Sequence, residues 1–340
     1  MTTTSARAVR IPRPGKLEIT PVEVQAPGAG EALVRVAWAG ICGSDRDLLE
    51  GTRPAPFVRY PVIPGHEWSG TVESVGAGVD AGLVGRPVVG EGFRSCRVCP
   101  PCRRGDTTLC ESAYDETGFT APGAWCDCLT IPARLLHVLP DDADLRAAAL
   151  LEPAACIAGA ALAAGVVPGD RVAVVGAGAL GLLGVQLLAA AGAVEVVAVD
   201  PNGSRTSLAL RCGAASLYSP DKAAGLAGSF DVVLEAAGAP GAARLAIRLV
   251  RRGGRVVLTG IPVDASDSLG VQELVTAAVH LRAVFGAPST AWVHAVRAFS
   301  TGVLDPAPLV GRTFALEDVE SAFAALDHPD REDVKVLLQP

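Results

Sequence analysis

The first 150 residues carry short apolar segments in which hydrophobic and polar positions partly alternate. Alternation with a period of two is typical of a strand with one buried face. Gly and Pro are dense between these segments, which indicates many loops. The pattern predicts a β-rich domain with strands at 33–38, 70–76 and 85–90, a fourth strand ending near 132, and a helical turn at 44–50.

The pattern changes near residue 152, where short continuous apolar runs begin to alternate with helical segments. Runs that are apolar on both faces are typical of parallel strands covered by helices on both sides. This rhythm predicts an α/β unit with a doubly wound parallel sheet. We expect its strands at 171–175, 195–199, 231–234, 255–258 and 281–285, and its helices at 180–191, 204–212 and 241–250.

The chain from about residue 286 onward does not continue that rhythm. It contains helical segments near 291–300 and 316–325, followed by an alternating strand at 333–337. We therefore expect this last segment to return to the first domain rather than to extend the parallel sheet.

Composition and charge restrict the classes of partner. The chain has 340 residues, half of them hydrophobic, which is enough for two domains with a large core. Its net charge of −7 argues against a nucleic-acid partner. No apolar run is long and glycine-free enough for a membrane span, and residues 1–16 lack an apolar signal segment. We expect a cytoplasmic protein that binds a small molecule, without a membrane partner.

Four of the nine cysteines form a C-x2-C-x2-C-x7-C cluster, which is the most specific pattern in the chain. Because no secretory signal is visible, reduced thiols or a metal site are favoured over disulfides. An iron–sulfur cluster is the other alternative, but nothing else suggests electron transfer. Four thiolates in one short loop can hold a tetrahedral zinc. The cluster consists of Cys96, Cys99, Cys102 and Cys110.

The other cysteines fall into two groups. Cys126, Cys128, Cys156 and Cys212 are interpreted as small core residues. Cys42 differs, because it opens the sequence Cys-Gly-Ser-Asp and is followed later by Gly-His66-Glu67. A thiolate, an imidazole and carboxylates are the ligands that zinc prefers. The alternative is a buried cysteine and a surface histidine that never meet.

A glycine-rich turn at 176–181 fits the dinucleotide fingerprint G-x-G-x-x-G. The pattern alone is weak in a chain with 38 glycines, but it follows a Val-rich strand and precedes a helix. Gly176 would permit the tight turn, Gly178 the approach of the pyrophosphate, and Gly181 the close packing of helix on strand. We assign Leu180 to the same cofactor site. The alternative is a helix-packing motif that binds no nucleotide.

Asp200 stands at the end of the strand that follows the fingerprint. A carboxylate there would accept hydrogen bonds from the adenosine ribose and repel a 2′-phosphate, which favours NAD over NADP. Arg205 leaves NADP open, because an arginine here could stack on adenine or meet a 2′-phosphate.

These motifs together resemble the zinc-containing medium-chain alcohol/polyol dehydrogenases, in the order that this family shows and over essentially the whole chain. The resemblance implies a GroES-like β-barrel catalytic domain at 1–153 and 286–340, with a structural zinc lobe at about 91–112. It implies a doubly wound Rossmann NAD-binding domain at 154–285, inserted between the two parts. It also implies two zinc ions per chain.

The resemblance assigns roles to individual residues. Cys42 and His66 match the catalytic zinc ligands, and Glu67 or Glu152 matches a further ligand, with the choice left open. Asp45 matches the carboxylate that orients the zinc histidine. Ser44 matches the hydroxyl that binds the substrate oxygen and starts a proton relay, although a Ser at this place can also be a helix N-cap. Zinc would lower the pKa of the substrate hydroxyl, and hydride would pass to the nicotinamide.

Two positions depart from the family pattern. Asp47 stands where many relatives carry a relay histidine, so it is a candidate for the relay, for pairing with a cationic substrate, or for a solvated helix carboxylate. Phe285, which we assign to the cofactor site, is followed by Gly286 where sorbitol dehydrogenases carry an Arg, which counts against that activity. The strand ending at Phe285 pairs across subunits in many relatives, so a homodimer or homotetramer is expected.

A finer resemblance rests on the segments 41–45 and 60–70 together with Gly286. They are similar to the 2-deoxy-scyllo-inosamine dehydrogenases of aminoglycoside biosynthesis, which oxidise a cyclitol hydroxyl to a ketone. This implies a cyclitol or aminocyclitol substrate, with another polyol, sugar or secondary alcohol as the alternative. Two other classes are a zinc-free quinone or enoyl reductase and a non-catalytic nucleotide-binding redox sensor. Cys42, His66 and the cysteine lobe argue against the reductase.

Overall fold

The computed structural model describes residues 4–262, 268–326 and 334–340. The first part of the chain is β-rich, as its alternating pattern predicts. It forms a two-stranded antiparallel sheet and, together with the last two strands of the chain, a seven-stranded sheet. The larger sheet has the order β14-β15-β3-β4-β5-β7, and β6 also pairs with β3. The strands are β1 (Thr4–Arg13), β2 (Lys16–Val24), β3 (Glu31–Ile41), β4 (Trp68–Val75), β5 (Pro87–Gly90), β6 (Cys128–Pro132), β7 (Leu136–Val138), β14 (Val310–Ala315) and β15 (Lys335–Gln339).

Five helices accompany these two sheets. The predicted turn after Cys42 is a helix of two turns, and the two predicted helices near the end of the chain are present. The sequence pattern did not reveal the short helices α2 and α3. The helices are α1 (Gly43–Glu50), α2 (Pro100–Arg103), α3 (Leu145–Ala148), α10 (Ser289–Ser300) and α11 (Val319–Leu326).

The middle of the chain forms a six-stranded, entirely parallel sheet with the order β10-β9-β8-β11-β12-β13. This confirms the predicted doubly wound sheet. The strands are β8 (Arg171–Val175), β9 (Glu195–Val199), β10 (Ser216–Tyr218), β11 (Phe230–Glu235), β12 (Val250–Leu258) and β13 (His280–Ala283). The helices are α4 (Leu151–Ala164), α5 (Ala179–Ala190), α6 (Thr206–Arg211), α7 (Pro220–Ala223), α8 (Ala242–Leu249) and α9 (Val271–Ala277).

The last strand of the chain joins the sheet of the first part. β15 pairs antiparallel with β3 and parallel with β14. Val336, Leu337 and Leu338 are fully buried, in an apolar strand that lies between β14 and β3. The predicted strand began at Asp333, which lies outside the described residues, and β15 itself begins at Lys335.

One apolar core connects the two parts of the molecule. Buried alanines of α4, together with Ala291, Trp292 and Ala295 of α10, belong to the same cluster as α5 and β8. Alanine has almost no side chain to order, so these helices approach each other closely at little entropic cost. The shared core thus packs the two parts of the molecule against each other beside the cleft. Among the described helices, none combines the length and apolarity that crossing a bilayer requires.

Candidate active site and cysteine lobe

A cleft of about 580 Å³ is lined by both parts of the chain. One wall carries the Cys-Gly-Ser segment at the start of α1 and the His-Glu segment before β4, and the opposite wall carries the glycine turn before α5. Cavities of this size, formed where two domains meet, are typical of small-molecule sites. The sequence-predicted residues on its walls are Cys42, Ser44, His66, Glu67, Glu152, Gly178, Leu180 and Phe285.

Cys42, His66 and Glu67 converge in this cleft. One ligand atom from each lies within 4.8 Å of the other two, and His66 and Glu67 are almost fully buried. Gly65 makes this possible, because its φ of +96° favours glycine and a Cβ there would meet Trp125 Cδ1 at 2.4 Å. A half-buried sulfur with a buried nitrogen and a buried oxygen donor at this spacing fits zinc.

Asp45 supports the imidazole from behind. Its Oδ2 accepts a hydrogen bond of 2.9 Å from the Cys42 amide, and its Oδ1 lies 3.5 Å from His66 Nδ1. Burial disfavours the charged ring, but Asp45 and Cys42 outweigh that effect and hold the pKa of His66 well above its ordinary value. A metal that binds the ring nitrogen Nε2 would have to displace the proton of the charged imidazole. With Asp45 on the Nδ1 side, Nε2 is the ring nitrogen available to a metal.

The two candidate carboxylates differ in their surroundings. Glu67 forms a buried ion pair with Lys335, whose ammonium contacts Oε2. Glu152, in the first turn of α4, lines the cleft outside the 4.8 Å group and lies 3.5 Å from the Cys156 sulfur. Burial raises the pKa of Glu152. Cys156 packs against the core, as expected, and it also lines the cleft.

Ser44 and Asp47 are separated by the curvature of α1. Ser44 is half-buried on the cleft wall, whereas Asp47 is exposed, lies outside the cleft lining and is 3.2 Å from the Thr52 hydroxyl. Cys42, not Ser44, occupies the N-cap of α1. Ser44 is thus free of a capping role, and its roles in substrate binding and the relay stay predictions.

The glycine turn has the geometry that its sequence predicts. Gly176 has a φ of +103°, and a Cβ on Gly181 would lie 1.8 Å from the Gly176 carbonyl oxygen. Gly178 is the N-cap of α5, so the amides of the first helical turn face the cleft. These features leave room for a pyrophosphate at the helix N-terminus.

Asp200 is more engaged with its own loop than the sequence indicates. It is 6% exposed, and its carboxylate accepts hydrogen bonds from the amides of Ala177, at 2.7 Å, and Asn202, at 2.8 Å. Arg205 Nη1 lies 3.2 Å from Oδ2 of the same carboxylate. The arginine therefore neutralises the charge that would repel a 2′-phosphate.

The four cysteines of the lobe also converge. Their sulfur atoms lie within 4.8 Å of one another, which fits one tetrahedral zinc. The amides of Cys96 and Cys99 point at the sulfurs of Cys110 and Cys96, at 3.3 and 3.4 Å. Hydrogen bonds from the Val98 and Cys99 amides lower the pKa of Cys96 to about 6, which favours the thiolate. All nine cysteines are described and all are free thiols, so the disulfide alternative is wrong.

Sequence reasoning missed four charged residues of the cleft: Lys335, Arg46, Arg53 and Glu116. Lys335 had a usable signal, because it is one of only three lysines and stands in an apolar strand. Glu116 is 5% exposed, and burial raises its pKa to about 8. Neither Arg53 nor Glu116 belongs to a short motif that could have revealed it.

Comparison with known proteins agrees with this geometry. Residues 28–141 match the model of the alcohol dehydrogenase GroES-like domain, and residues 179–301 match that of zinc-binding dehydrogenases. A 2-dehydro-3-deoxy-L-galactonate 5-dehydrogenase of Pseudoalteromonas atlantica is 33% identical over 316 residues, which cover 89% of each chain. The chain belongs to the zinc-binding alcohol dehydrogenase family. The GroES-like and Rossmann-like architecture predicted from the resemblance is thereby confirmed.

Two solved structures extend this family assignment. A cobalt- and zinc-bound thermostable alcohol dehydrogenase from Pyrobaculum aerophilum is 31% identical, with a TM-score of 0.91 over 99% of this chain and 100% of that one. A zinc-binding dehydrogenase from Sinorhizobium meliloti bound to NADP is 28% identical, with a TM-score of 0.92 over the same shares. As a member of this dehydrogenase family, the protein is an oxidoreductase that acts on CH–OH groups with NAD or NADP.

Proposed function

We propose that the protein oxidises a secondary hydroxyl of a cyclitol or other polyol to a ketone, with hydride transfer to NAD. The observation that carries this proposal is the convergence of Cys42, His66 and Glu67 in the cleft that also holds the Gly178 turn. The ligand cluster and the nucleotide turn face one cavity, so a substrate can meet both at once.

Each polar residue of the cleft has its own proposed role. Cys42 and His66 would hold a zinc ion, which when bound lowers the pKa of the substrate hydroxyl. The 4.8 Å spacing favours Glu67 as the third ligand, with Glu152 as a carboxylate that can exchange with it. Asp45 keeps the His66 ring oriented. Ser44, on the cleft wall, accepts the hydroxyl proton and passes it outward.

NAD is the proposed cofactor. The Asp200 carboxylate closes the position where a 2′-phosphate would lie, and the amides of Ala177 and Asn202 fix it there. Arg205 weakens the repulsion without removing the carboxylate, so we expect some use of NADP. The second zinc ion is assigned to the cysteine lobe, where it stabilises the fold and takes no part in the reaction.

The proposed cyclitol specificity rests on the sequence resemblance at 41–45, 60–70 and Gly286. A 2-deoxy-scyllo-inosamine-like aminocyclitol is the finest substrate that this resemblance supports. Another polyol, a sugar or a simple secondary alcohol is the alternative of the same class. The exposed edge strand β13 supports a homodimer or homotetramer that pairs through this edge.

The decisive experiment is NADH formation by the zinc-loaded protein across alcohols, polyols, cyclitols and aminocyclitols, with Cys42→Ser as the matched variant. We expect oxidation of at least one cyclitol or polyol, loss of that activity in Cys42→Ser, and two zinc ions per wild-type chain by elemental analysis. Full activity of Cys42→Ser would contradict catalysis at this metal site. Absence of any oxidation would favour a nucleotide-binding redox sensor.

A further inference from the structure

Arg53 and Glu116 form a buried ion pair on the cleft wall that the proposed mechanism does not use. Arg53 Nη2 lies 3.4 Å from Glu116 Oε2, and their side chains are 14% and 7% exposed. Both residues line the cleft together with Ser44 and His66. Buried charges that face a substrate cavity are uncommon outside recognition and catalysis, so this pair calls for a function.

The surrounding residues hold the guanidinium in place. Arg53 Nε donates a hydrogen bond of 2.8 Å to the Phe57 carbonyl, and Nη2 donates one of 2.9 Å to the Tyr114 hydroxyl. Its Cζ lies 3.6 Å from the centre of the Phe119 ring, which is the geometry of a cation–π contact. The pair is thus preorganised, and binding a substrate group here costs little ordering entropy.

The pair lies beside the candidate zinc site. Phe119, on which Arg53 stacks, also contacts the His66 ring, with 4.7 Å between ring centres. One aromatic side chain therefore touches both Arg53 and the zinc histidine. A small substrate whose reacting hydroxyl lies near His66 can reach the pair with a neighbouring functional group.

The free hydrogen-bonding capacity of the Arg53–Glu116 pair indicates which functional group of a substrate it can bind. Within the described part of the chain, neither Arg53 Nη1 nor Glu116 Oε1 has a hydrogen-bond partner. A hydroxyl accepts and donates, so it can satisfy both. A carboxylate only accepts, so it cannot donate to Glu116 Oε1, and it would be repelled by the ionised form of Glu116. An ammonium only donates and would be repelled by Arg53.

We propose that the Arg53–Glu116 pair binds a hydroxyl adjacent to the one that is oxidised, and that it selects vicinal diols and polyols over mono-alcohols and over acids. This inference rests on the proposed dehydrogenase function and deepens it. It assigns substrate discrimination to two residues that touch the substrate and take no part in the transfer of the proton or the hydride.

The test compares 2,3-butanediol with 2-butanol, which share a carbon skeleton and differ in the second hydroxyl. For the zinc- and NAD-loaded wild type, we expect kcat/KM to favour the diol by at least about 10-fold. Glu116→Ala should remove most of that preference by lowering kcat/KM for the diol alone. Glu116→Gln keeps an acceptor oxygen and should retain part of the preference. Asp142→Asn, an exposed carboxylate before α3, is the matched control and should leave the preference unchanged.

A binding measurement separates recognition from turnover. Calorimetry on the enzyme–NADH complex should show about 10-fold weaker binding of the diol to Glu116→Ala than to wild type or to Asp142→Asn. Thermal melting of each variant shows whether it is folded. Arg53→Lys, which keeps the charge but loses the planar set of donors, should weaken diol binding as well.

Three outcomes would overturn the inference. The first is a wild type without preference for the diol, and the second is an equal loss for diol and mono-alcohol in Glu116→Ala. The third concerns 1-amino-2-propanol, which is assayed as an additional substrate. If its kcat/KM exceeds those of 2,3-butanediol and 2-butanol, and Glu116→Gln removes this advantage, the bound group is an ammonium. If wild type oxidises no alcohol, the proposed function fails, and calorimetry still tests diol binding by the pair.

Discussion

Lys335 forms an ion pair with Glu67, one of the three candidate zinc ligands, and both side chains are almost fully buried. Lys335 begins β15, the strand that brings the end of the chain back to β3, whereas Glu67 directly follows the zinc histidine. The ion pair thus joins the last strand to the metal site. Burying the charged Glu67 carboxylate without this counter-charge would cost free energy of folding.

Removing the lysine should therefore destabilise the fold. We expect Lys335→Met to lower the free energy of unfolding by roughly 3–5 kcal/mol, because it leaves a buried carboxylate without its partner. Chemical denaturation of the protein whose catalytic site is free of zinc measures this change, because a bound zinc would itself pair with Glu67. Lys222→Met, an exposed lysine in α7, is the control and should stay within about 0.5 kcal/mol of wild type. Similar losses in both variants would show that the ion pair has no special role.

The cysteine lobe should lose its metal independently of the catalytic site. Cys99→Ser is expected to reduce the zinc content from two ions to one and to make the segment 91–112 sensitive to proteolysis, because the metal supplies much of the local folding energy. Elemental analysis and mapping of the first cleavage site measure these effects. Cys212→Ser, a buried cysteine outside both clusters, should keep both zinc ions.

Asp45 should act on the metal site through the histidine ring. Asp45→Asn retains the size of the side chain but weakens its interaction with His66 Nδ1. We expect a loss of about 10–100-fold in zinc affinity at the catalytic site or in kcat, with the lobe zinc retained. Competition with a chelator, followed by elemental analysis, separates the two ions. Unchanged affinity together with unchanged kcat would refute a positioning role for Asp45.

Asp200 and Arg205 should shift cofactor preference in opposite directions. Asp200→Ala removes the carboxylate proposed to bind the ribose, so the ratio of kcat/KM for NAD to that for NADP should fall by about 10-fold or more. Arg205→Ala removes the neutralising charge, so the same ratio should rise. Steady-state rates with both cofactors measure this. A wild type that is faster with NADPH than with NADH would contradict the assignment.

Much of the fold follows from the sequence because local spacing determines local geometry. Continuous apolar runs between helical segments revealed the parallel sheet, and the Gly176 turn needs only its own backbone and the next helix. The lobe is similar, since four cysteines within 15 residues can meet without help from distant segments. The strand at 281–285 was predicted two residues too long at its end, because β13 ends at Ala283.

The tertiary structure decided what distant segments contribute to the site. It placed Asp47 outside the cleft, because its side chain leaves α1 on a different face from Ser44. It placed Cys156 where it packs against the core and also lines the cleft.

The two buried ion pairs were also decided by the tertiary structure. Lys335 was brought to Glu67, and Glu116 to Arg53, across 268 and 63 residues of chain. Such pairs depend on how sheets and loops pack, and no local spacing encodes them. The sequence by itself therefore determined the class of reaction through its metal and nucleotide motifs. Only the tertiary packing determined which charged groups surround the substrate.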